Sequence, residues 1–268
     1  MKIATWNINS VRLRIDHVTR FLKEENPEAL CLQETKCRDD QFPVKAFKAA
    51  GYDHLAISGQ AGYHGVAIAA RVPLKNITRK SFCGKDDTRH ISAVLPGGIE
   101  LHNFYVPAGG DEPDPAINEK FDHKLNFLRE MRTWFSALGG PRKKRVLVGD
   151  LNVAPHENDV WSHKQLLKVV SHTPVEVDLL NALRDEADWT DVARARVGDD
   201  QKLYSWWSYR ARDWRASNRG RRLDHIWVSP ALKKSALARE GASLAIHDQA
   251  RGWEKPSDHA PVSMTMAL

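Results

Sequence analysis

The stretch Val146-Leu147-Val148-Gly149-Asp150-Leu151-Asn152, VLVGDLN, is the clearest guide to the fold. Its first three residues form a compact apolar run, which is typical of a buried strand. Gly149 ends this run, and the polar residues Asp150 and Asn152 follow it. A polar side chain at the end of a strand lies at the rim of a sheet, where groups from distant parts of a sequence can meet. The stretch therefore predicts a sheet with a functional rim.

Short strand-like runs alternate with helical ones along the chain. We predict further strands at residues 1–7, 29–33, 65–70, 91–95, 101–106, 223–228 and 262–266. Apolar residues spaced three or four apart predict helices at 11–24, 121–138 and 179–183. Residues 107–116 and 208–220 are expected to be long loops, which are often functional. No repeat or linker divides the sequence, so we expect one α/β domain over residues 1–268.

Composition narrows the class of protein. The chain has 268 residues, a net charge of +6 and a pI of about 9.2. No apolar run approaches the ~20 residues of a membrane span, so no membrane association is expected. Met1 leads directly into a strand-like run without a secretory signal, so we expect a cytoplasmic protein. The three cysteines lack the paired spacing of zinc sites, and we expect reduced thiols.

Basic residues concentrate in two segments. One is Arg142-Lys143-Lys144-Arg145, and the other follows a group of aromatic residues, Trp206, Trp207 and Tyr209. The second segment contains six arginines: Arg210, Arg212, Arg215, Arg219, Arg221 and Arg222. Guanidinium groups among aromatic rings suit a groove that holds phosphates and contacts bases. A solvated basic surface above a core of aromatic side chains is the alternative, and composition alone does not separate the two.

Polar residues of types that bind metals or take part in catalysis flank several predicted strands. They are Asn7, Glu34, Tyr105, Asp150, Asn152, Asp224, Asp258 and His259. Amide and carboxylate oxygens suit a hard cation, and magnesium is the usual choice where phosphate is the substrate. Each residue alone has a plain structural interpretation, such as a turn, a cap or a core tyrosine. Together they predict a metal-assisted hydrolase of a phosphate ester.

Six ordered motifs resemble one known family over essentially the whole chain. They are Trp6-Asn7-Ile8-Asn9, Leu32-Gln33-Glu34-Thr35-Lys36, Gly149-Asp150-Leu151-Asn152, Ser205-Trp206-Trp207, Asn218-Arg219-Gly220-x-Arg222-x-Asp224 and Pro256-Ser257-Asp258-His259-Ala260-Pro261. This set resembles the exonuclease III family of abasic-site endonucleases, within the endonuclease/exonuclease/phosphatase superfamily. The second, fourth and fifth motifs resemble the DNA-repair branch in particular.

The resemblance implies a four-layered α/β sandwich, with two packed, mainly antiparallel sheets flanked by helices and an active site at one rim. It implies metal binding by Glu34 and Asn7, with Asp258 nearby and Asp150, Asn152 and His259 within the ligand set. Asp150 would orient or deprotonate the attacking water, although the Asp224–His259 pair is the alternative general base. Asn152 and His259 would bind the scissile phosphate, Asp224 would orient His259, and Tyr105 would support the departing oxygen.

The implied activity is magnesium-dependent hydrolysis of the DNA backbone 5′ to abasic sites, with 3′→5′ exonuclease and 3′-phosphatase activities and with Mn²⁺ as a substitute metal. The substrate would be double-stranded DNA with abasic sites or damaged 3′ ends. Trp206, Arg210, Asn218 and Arg222 would contact it, and the enzyme would act as a monomer. Two rival hypotheses are a phosphatase of small phosphoesters from the same superfamily and a non-catalytic DNA-binding module with this fold.

Overall fold

A computed structural model describes residues 1–140, 142–211 and 213–267. These described residues contain fourteen strands: β1 (Lys2–Asn7), β2 (Ala29–Gln33), β3 (His54–Ser58), β4 (Val66–Ala70), β5 (Lys75–Arg79), β6 (His90–Leu95), β7 (Ile99–Tyr105), β8 (Arg145–Asp150), β9 (Thr190–Asp191), β10 (Trp206–Trp207), β11 (Gly220–Arg221), β12 (Asp224–Val228), β13 (Ser243–Ile246) and β14 (Val262–Thr265). Eight α-helices accompany them: α1 (Ile15–Glu25), α2 (Val44–Ala49), α3 (Glu119–Leu138), α4 (His163–Leu166), α5 (Pro174–Glu186), α6 (Val192–Val197), α7 (Trp214–Ser217) and α8 (Pro230–Ala236). In these described segments, no helix has both the length and the apolar character needed to span a membrane.

The strands form two six-stranded sheets and one short pair. The first sheet has the order β13-β14-β1-β2-β4-β3, the second has the order β5-β6-β7-β8-β12-β9, and β10 pairs with β11. Only β1–β2 and β7–β8 run parallel in the two large sheets, and their other pairs are antiparallel. The expected architecture of two mainly antiparallel sheets flanked by helices is confirmed.

Three apolar clusters hold these layers together. Branched and small side chains between the two sheets, including Ile3, Ile68 and Val148, form a fully buried core. A second cluster packs α1 and α2 on the outer face of the first sheet, and a third packs α3 and α5 on the outer face of the second. Burial of apolar area contributes roughly 25 cal/mol per Å², which makes these contacts the main stabilising term.

Strand direction brings the polar residues to one rim. β1 and β2 are parallel and end beside each other, with Asn7 opposite Gln33. In the second sheet, the last residues of the parallel strands β7 and β8, Tyr105 and Asp150, are register partners. Antiparallel β12 begins opposite the end of β8, so Asp224 is the register partner of Asp150.

The structure differs from the sequence-based expectations mainly at exposed or short elements. The first helix begins at Ile15 rather than at residue 11. Three strands of four or five residues were not predicted: β3, β5 and β13. Every residue of β5 is exposed, so its sequence lacks the apolar alternation that identifies a half-buried strand. The segment 208–220 is not wholly a loop, since α7 lies within it.

Candidate active site

The side chain of Asn7 joins carboxylates from the two sheets. Its Nδ2 donates to Glu34 Oε1 at 2.8 Å and to Asp150 Oδ2 at 2.9 Å. The hydroxyl of Tyr105 also donates to Glu34 Oε1, at 2.9 Å. Burial raises the pKa of Tyr105 well above its ordinary value, so this phenol stays protonated as a donor. These four predicted residues therefore form one hydrogen-bonded group at the rim.

Local backbone geometry fixes the two carboxylates. Gly149 has a φ of 140°, and a Cβ at this position would lie 1.9 Å from the carbonyl oxygen of Phe104 on the neighbouring strand. Only glycine fits this close approach, which explains the residue that precedes Asp150. Glu34 has a φ of 50°, in the left-handed region that few non-glycine residues adopt. The chain thus turns sharply at Glu34, directly after β2.

His259 lies between two aspartates. Its Nδ1 is 2.8 Å from Asp224 Oδ2, and its Nε2 is 3.6 Å from Asp150 Oδ2. Burial lowers the pKa of His259, but the negative charges of Asp224 and Asp150 outweigh it and raise the pKa to about 10. Burial also raises the pKa of Asp150, to about 7. The arrangement holds a charged imidazole beside a carboxylate that can accept a proton near neutral pH.

Neighbouring groups orient both aspartates. The Oγ of Ser205 donates to Asp224 Oδ2 at 2.7 Å and accepts from the backbone N–H groups of Leu223 and Asp224. Asp150 accepts from the backbone N–H of Asn152 at 2.9 Å and from Asn152 Nδ2 at 3.2 Å. The carboxyl groups are therefore held in fixed positions by donors of the protein itself.

Asn9 and Lys36 belong to the same group, although the sequence analysis did not assign them to it. Asn9 Nδ2 donates to Asp258 Oδ1 at 3.1 Å, and its Oδ1 accepts from Lys36 Nζ at 2.7 Å. Lys36 Nζ is also 2.8 Å from Glu34 Oε2. Both residues stand in the quoted motifs, two positions after Asn7 and Glu34, and that spacing was the available signal. An ammonium group between these oxygens marks a position that favours a cation.

The rim can hold a divalent metal ion. Asp150, Asp224 and His259 each offer one ligand atom, and these atoms lie within 4.8 Å of one another. A histidine held in its charged form has no lone pair for a metal, so the oxygens around Glu34 fit a hard cation better. Asn7 and Asn152 turn their amide nitrogens toward carboxylates, so the carboxylate oxygens would be the principal metal ligands.

A cavity of about 870 Å³ opens from this group. Glu34, Asp150 and His259 line one end of it. The other end mixes apolar and aromatic side chains, among them Trp206 and Leu223, with the basic side chains of Arg210, Arg219 and Arg221. Trp206 connects the two ends, because its Nε1 donates to Asp258 Oδ2 at 2.9 Å. A substrate bound here would contact the charged group and an apolar wall at the same time.

The predicted DNA-contacting residues do not share one environment. Arg210 is exposed and lines the cavity, as Trp206 does. Asn218 is exposed at the end of α7 and accepts from Trp207 Nε1 at 3.1 Å. Arg212, which was counted in the basic segment, lies outside the described residues.

The assignment of Arg222 to the DNA surface is wrong. Its side chain is 1% exposed, and its guanidinium donates to Asp159 from Nε and Nη2 and pairs with Asp191 at 2.9 Å. A buried guanidinium between two carboxylates has no donor left for a phosphate on the surface. Arg222 instead ties the start of β12 to two other segments of the chain.

Comparisons with known proteins agree with this geometry. Residues 4–259 match the model of the Endonuclease/Exonuclease/phosphatase family. The chain is 30% identical to exodeoxyribonuclease III of Haemophilus influenzae over 98% of each chain. Among solved structures, it is similar to an AP endonuclease from Archaeoglobus fulgidus, with a TM-score of 0.91 and 31% identity over the whole of both chains. It is also similar to a Neisseria 3′ phosphatase bound to a product DNA hairpin, with a TM-score of 0.89 and 30% identity over the whole of both chains.

The matched residues include Asn7, Glu34, Tyr105, Asp150 and His259, which meet at one rim of the two sheets. Fold, site and sequence thus point to the same relatives. The chain belongs to the endonuclease/exonuclease/phosphatase family and is a hydrolase of phosphodiester bonds.

Proposed function

We propose that the protein is a magnesium-dependent DNA-repair phosphodiesterase that hydrolyses the DNA backbone 5′ to abasic sites and trims 3′ ends. The observation that carries the proposal is the amide of Asn7, which holds the carboxylates of Glu34 and Asp150 together at a cavity whose other end includes an apolar cluster. The charged end suits a phosphodiester. The apolar end suits a deoxyribose that has lost its base, because such a nucleotide leaves the helix with little loss of stacking.

Asp150 is the proposed general base. Its carboxylate is buried and accepts from Asn7 and Asn152, so its position is fixed before substrate binds. Burial raises its pKa to about 7, which is close to the pH at which a general base works best. Water is a poor nucleophile, and a carboxylate in this position would orient it and take its proton.

His259 and Asn152 are the proposed ligands of the scissile phosphate. Asp224 holds His259 by its Nδ1, so the Nε2–H faces the cavity as a charged donor. Hydrogen bonds aimed at the oxygens that gain negative charge stabilise the transition state, and loss of one such donor typically costs ~10²–10³ in rate. Tyr105 stays protonated and would donate to the departing oxygen.

Glu34 is the proposed principal metal ligand, with Asn7 assisting and the oxygens of Asn9 and Asp258 nearby. Magnesium bound there would neutralise charge on the phosphate, and Mn²⁺ would substitute for it. Lys36 would then lose its contact with Glu34 and would keep only its contact with Asn9. The chain contributes the oxygen ligands and the fixed orientation of Glu34 at the end of β2.

Trp206, Arg210 and Asn218 are the proposed contacts to DNA. Trp206 would lie against the flipped deoxyribose, since its Nε1 donates to Asp258 in the charged group while its ring packs with the apolar cluster. Arg210 is exposed and lines the same cavity, Asn218 is exposed at the end of α7, and both would bind the phosphate backbone. We propose a monomer acting in the cytoplasm, which gel filtration and cell fractionation would test.

A phosphatase of small phosphoesters is the second candidate function. The charged group alone would serve either reaction. The cavity extends well beyond that group to Trp161, Trp206 and three arginines, which a small soluble substrate would not need. We therefore favour DNA as the substrate.

The test is one gel that compares abasic, nicked, 3′-phosphate and blunt duplexes, with Mg²⁺ and with EDTA. We expect incision of the abasic duplex with Mg²⁺ and complete loss in EDTA, while circular dichroism shows that the fold is unchanged. Turnover of inositol phosphates by a protein that leaves the abasic duplex intact would contradict the proposal. Salt-dependent binding of DNA without cleavage would point to the non-catalytic module instead.

A further inference from the structure

Arg221 is a partly buried cation whose charge the described part of the protein does not neutralise. Its Nη1 donates to the carbonyl oxygen of Val170 at 3.0 Å and to Ser171 Oγ at 2.7 Å. Its Nε is buried without a hydrogen-bond partner. Among the described residues, no acceptor binds its Nη2 and no carboxylate forms a salt bridge with it. Nη1 is thus anchored, Nε is enclosed by the protein, and Nη2 is the nitrogen left to bind a ligand.

The guanidinium of Arg221 lies at the apolar end of the cavity. Its Cζ is 5.2 Å from the centre of the Trp206 ring, and Trp161, Val169 and Leu223 line the same end. These apolar side chains pack together as one cluster under the cavity floor. Arg221 is thus a charged group beside an apolar wall, and Arg210, Arg219 and Ser171 are further polar residues of the same cavity. An unpaired donor in such a wall is costly unless a ligand supplies an acceptor.

The order of groups along the substrate indicates which substrate oxygen would reach the guanidinium of Arg221. The scissile phosphate would lie at the charged end, and the deoxyribose would lie against Trp206. The side of the sugar away from the phosphate carries C1′, so C1′ would face Arg221. A normal nucleotide has a base at C1′, whereas an abasic site produced by hydrolysis has a hydroxyl or aldehyde oxygen there.

We propose that Nη2 of Arg221 binds the oxygen on C1′ of the flipped abasic deoxyribose, which makes Arg221 a residue that determines substrate specificity. The inference rests on the proposed function, because it assumes that an abasic nucleotide occupies the cavity. Its consequence is specific: the enzyme favours a natural abasic site over the tetrahydrofuran analogue, which has the same sugar ring but no oxygen on C1′. A hydrogen bond from a charged donor is worth enough for a preference of about tenfold or more.

The test compares kcat/KM for two duplexes of one sequence, one with a natural abasic site made by uracil excision and one with tetrahydrofuran. Appearance of a 3′-hydroxyl end is measured, because spontaneous strand cleavage at the natural site does not produce it. We expect the wild-type protein to favour the natural site by about tenfold or more. In Arg221→Met, which keeps a long side chain over Trp206 without donors, the ratio should fall to about one.

Arg215→Met is the matched control. Arg215 belongs to the same basic segment, is exposed and does not line the cavity. Its loss removes the same charge, so both duplexes should be cut more slowly by the same factor, and the ratio should keep its wild-type value. A ratio that falls in this control as well would assign the preference to net charge and overturn the proposal.

The remaining outcomes separate this inference from the proposed function. A wild-type protein that cuts both duplexes at equal rates, or an Arg221→Met protein that keeps the preference, overturns the inference and leaves the function intact. A protein that cuts neither duplex contradicts the function itself. If Arg221→Met does not fold, a third duplex with 2-deoxyribonolactone decides the matter in the wild type. Its C1′ carbonyl should restore the rate of the natural site, and a rate equal to that of tetrahydrofuran overturns the proposal.

Discussion

Two buried clusters of charge meet at the start of β12, and they differ in how their charges are balanced. Arg222 lies between Asp159 and Asp191, and Arg194 pairs with Asp159 as well. Two residues further along the chain, Asp224 belongs to the cluster of His259 and Asp150. Each cluster places a cation between two aspartates, but only the second opens into the cavity.

The balance of charge separates a structural cluster from a chemical one. Around Arg222, two arginines face two aspartates, and every charge has a partner inside the protein. Around His259, one imidazolium faces two aspartates, and Asp258 and Glu34, which pairs with Lys36, lie at the same end of the cavity, so four carboxyl groups face two cations. That excess of negative charge is costly unless a cation binds. A buried cluster whose charges are paired within the protein thus stabilises the fold, whereas a cluster with an excess of one charge indicates that a ligand binds there.

Replacement of Asp150 should have the largest effect on activity. In Asp150→Ala, the attacking water loses its proton acceptor, so we expect a loss of ~10³ or more in the single-turnover rate on an abasic duplex, with the fold retained by circular dichroism. His259→Asn keeps a neutral donor near the phosphate and should retain traces of activity above Asp150→Ala.

A different result would move the general base to the Asp224–His259 pair. Equal losses from Asp150→Ala and His259→Asn, with matching changes in their pH–rate profiles, would contradict our assignment. Asp150→Asn is the conservative companion, since it keeps the shape and the contact with Asn7 while removing the basic oxygen. We expect it to be folded and inactive.

Removal of Arg222 should cause a large loss of stability, just as removal of Asp150 should cause a large loss of activity. Arg222→Met leaves Asp159 and Asp191 buried with fewer partners, and we expect the free energy of unfolding to fall by about 3–5 kcal/mol. Urea denaturation measures the difference. Arg215→Met is the control, because an exposed arginine should change stability by no more than about 0.5 kcal/mol. A change in Arg222→Met as small as in the control would show that the cluster does not stabilise the fold.

Much of the fold and the central site could be predicted from sequence. Asn7, Glu34 and Asp150 each follow a compact apolar strand, and such strands end at a rim where polar side chains can meet. The motifs also placed Asp224 and His259 in the same family pattern. What sequence alone could not show was which sheet each strand joins, because pairing depends on contacts between distant segments.

The adjacent residues Arg221 and Arg222 show most clearly what could not be predicted from the sequence. Arg221 and Arg222 belong to one basic segment and have the same chemistry, so composition did not distinguish them, and the family resemblance assigned Arg222 to the DNA surface. Only the fold brings Asp159, 63 residues away, and Asp191, 31 residues away, to Arg222. The same fold turns Arg221 to the opposite side, toward the cavity. Exposure of a charged residue depends on such long-range partners.

The cluster around Arg222 also makes the free energy of unfolding depend on pH, because Arg222 contacts His225. His225 Nε2 lies 2.8 Å from the carbonyl oxygen of Val153, and its Nδ1 lies 3.1 Å from Arg222 Nη1, so only the neutral ring satisfies both contacts. Burial and the charge of Arg222 lower the pKa of His225 to about 4. The unfolded chain, with an ordinary value near 6.5, then takes up a proton first as the pH falls.

The contribution of neutral His225 to the free energy of unfolding is therefore fully present above about pH 6.5 and is lost as the pH falls toward 4. We expect a loss of about 2 kcal/mol in the free energy of unfolding between pH 7 and pH 5, measured by urea denaturation. His225→Gln still donates to Val153 and does not titrate, so it should lose less over the same interval. Equal losses in the two proteins would place the pH dependence elsewhere.

The smallest effect is expected at Arg210, which is exposed where Arg222 is buried. Arg210→Met should leave the free energy of unfolding unchanged to about 0.5 kcal/mol, because no buried charge loses its partner. Its DNA affinity should fall by a similar factor for every sequence, and the slope of log K against log salt should decrease by about one. Titration of a labelled duplex at several salt concentrations measures the slope. Arg239→Met removes an arginine outside the cavity and should leave the slope near the wild-type value. Equal slopes in Arg210→Met and the wild type would show that exposure beside the cavity is not enough to place an arginine on the DNA, and the contrast with Arg222 would then concern stability alone.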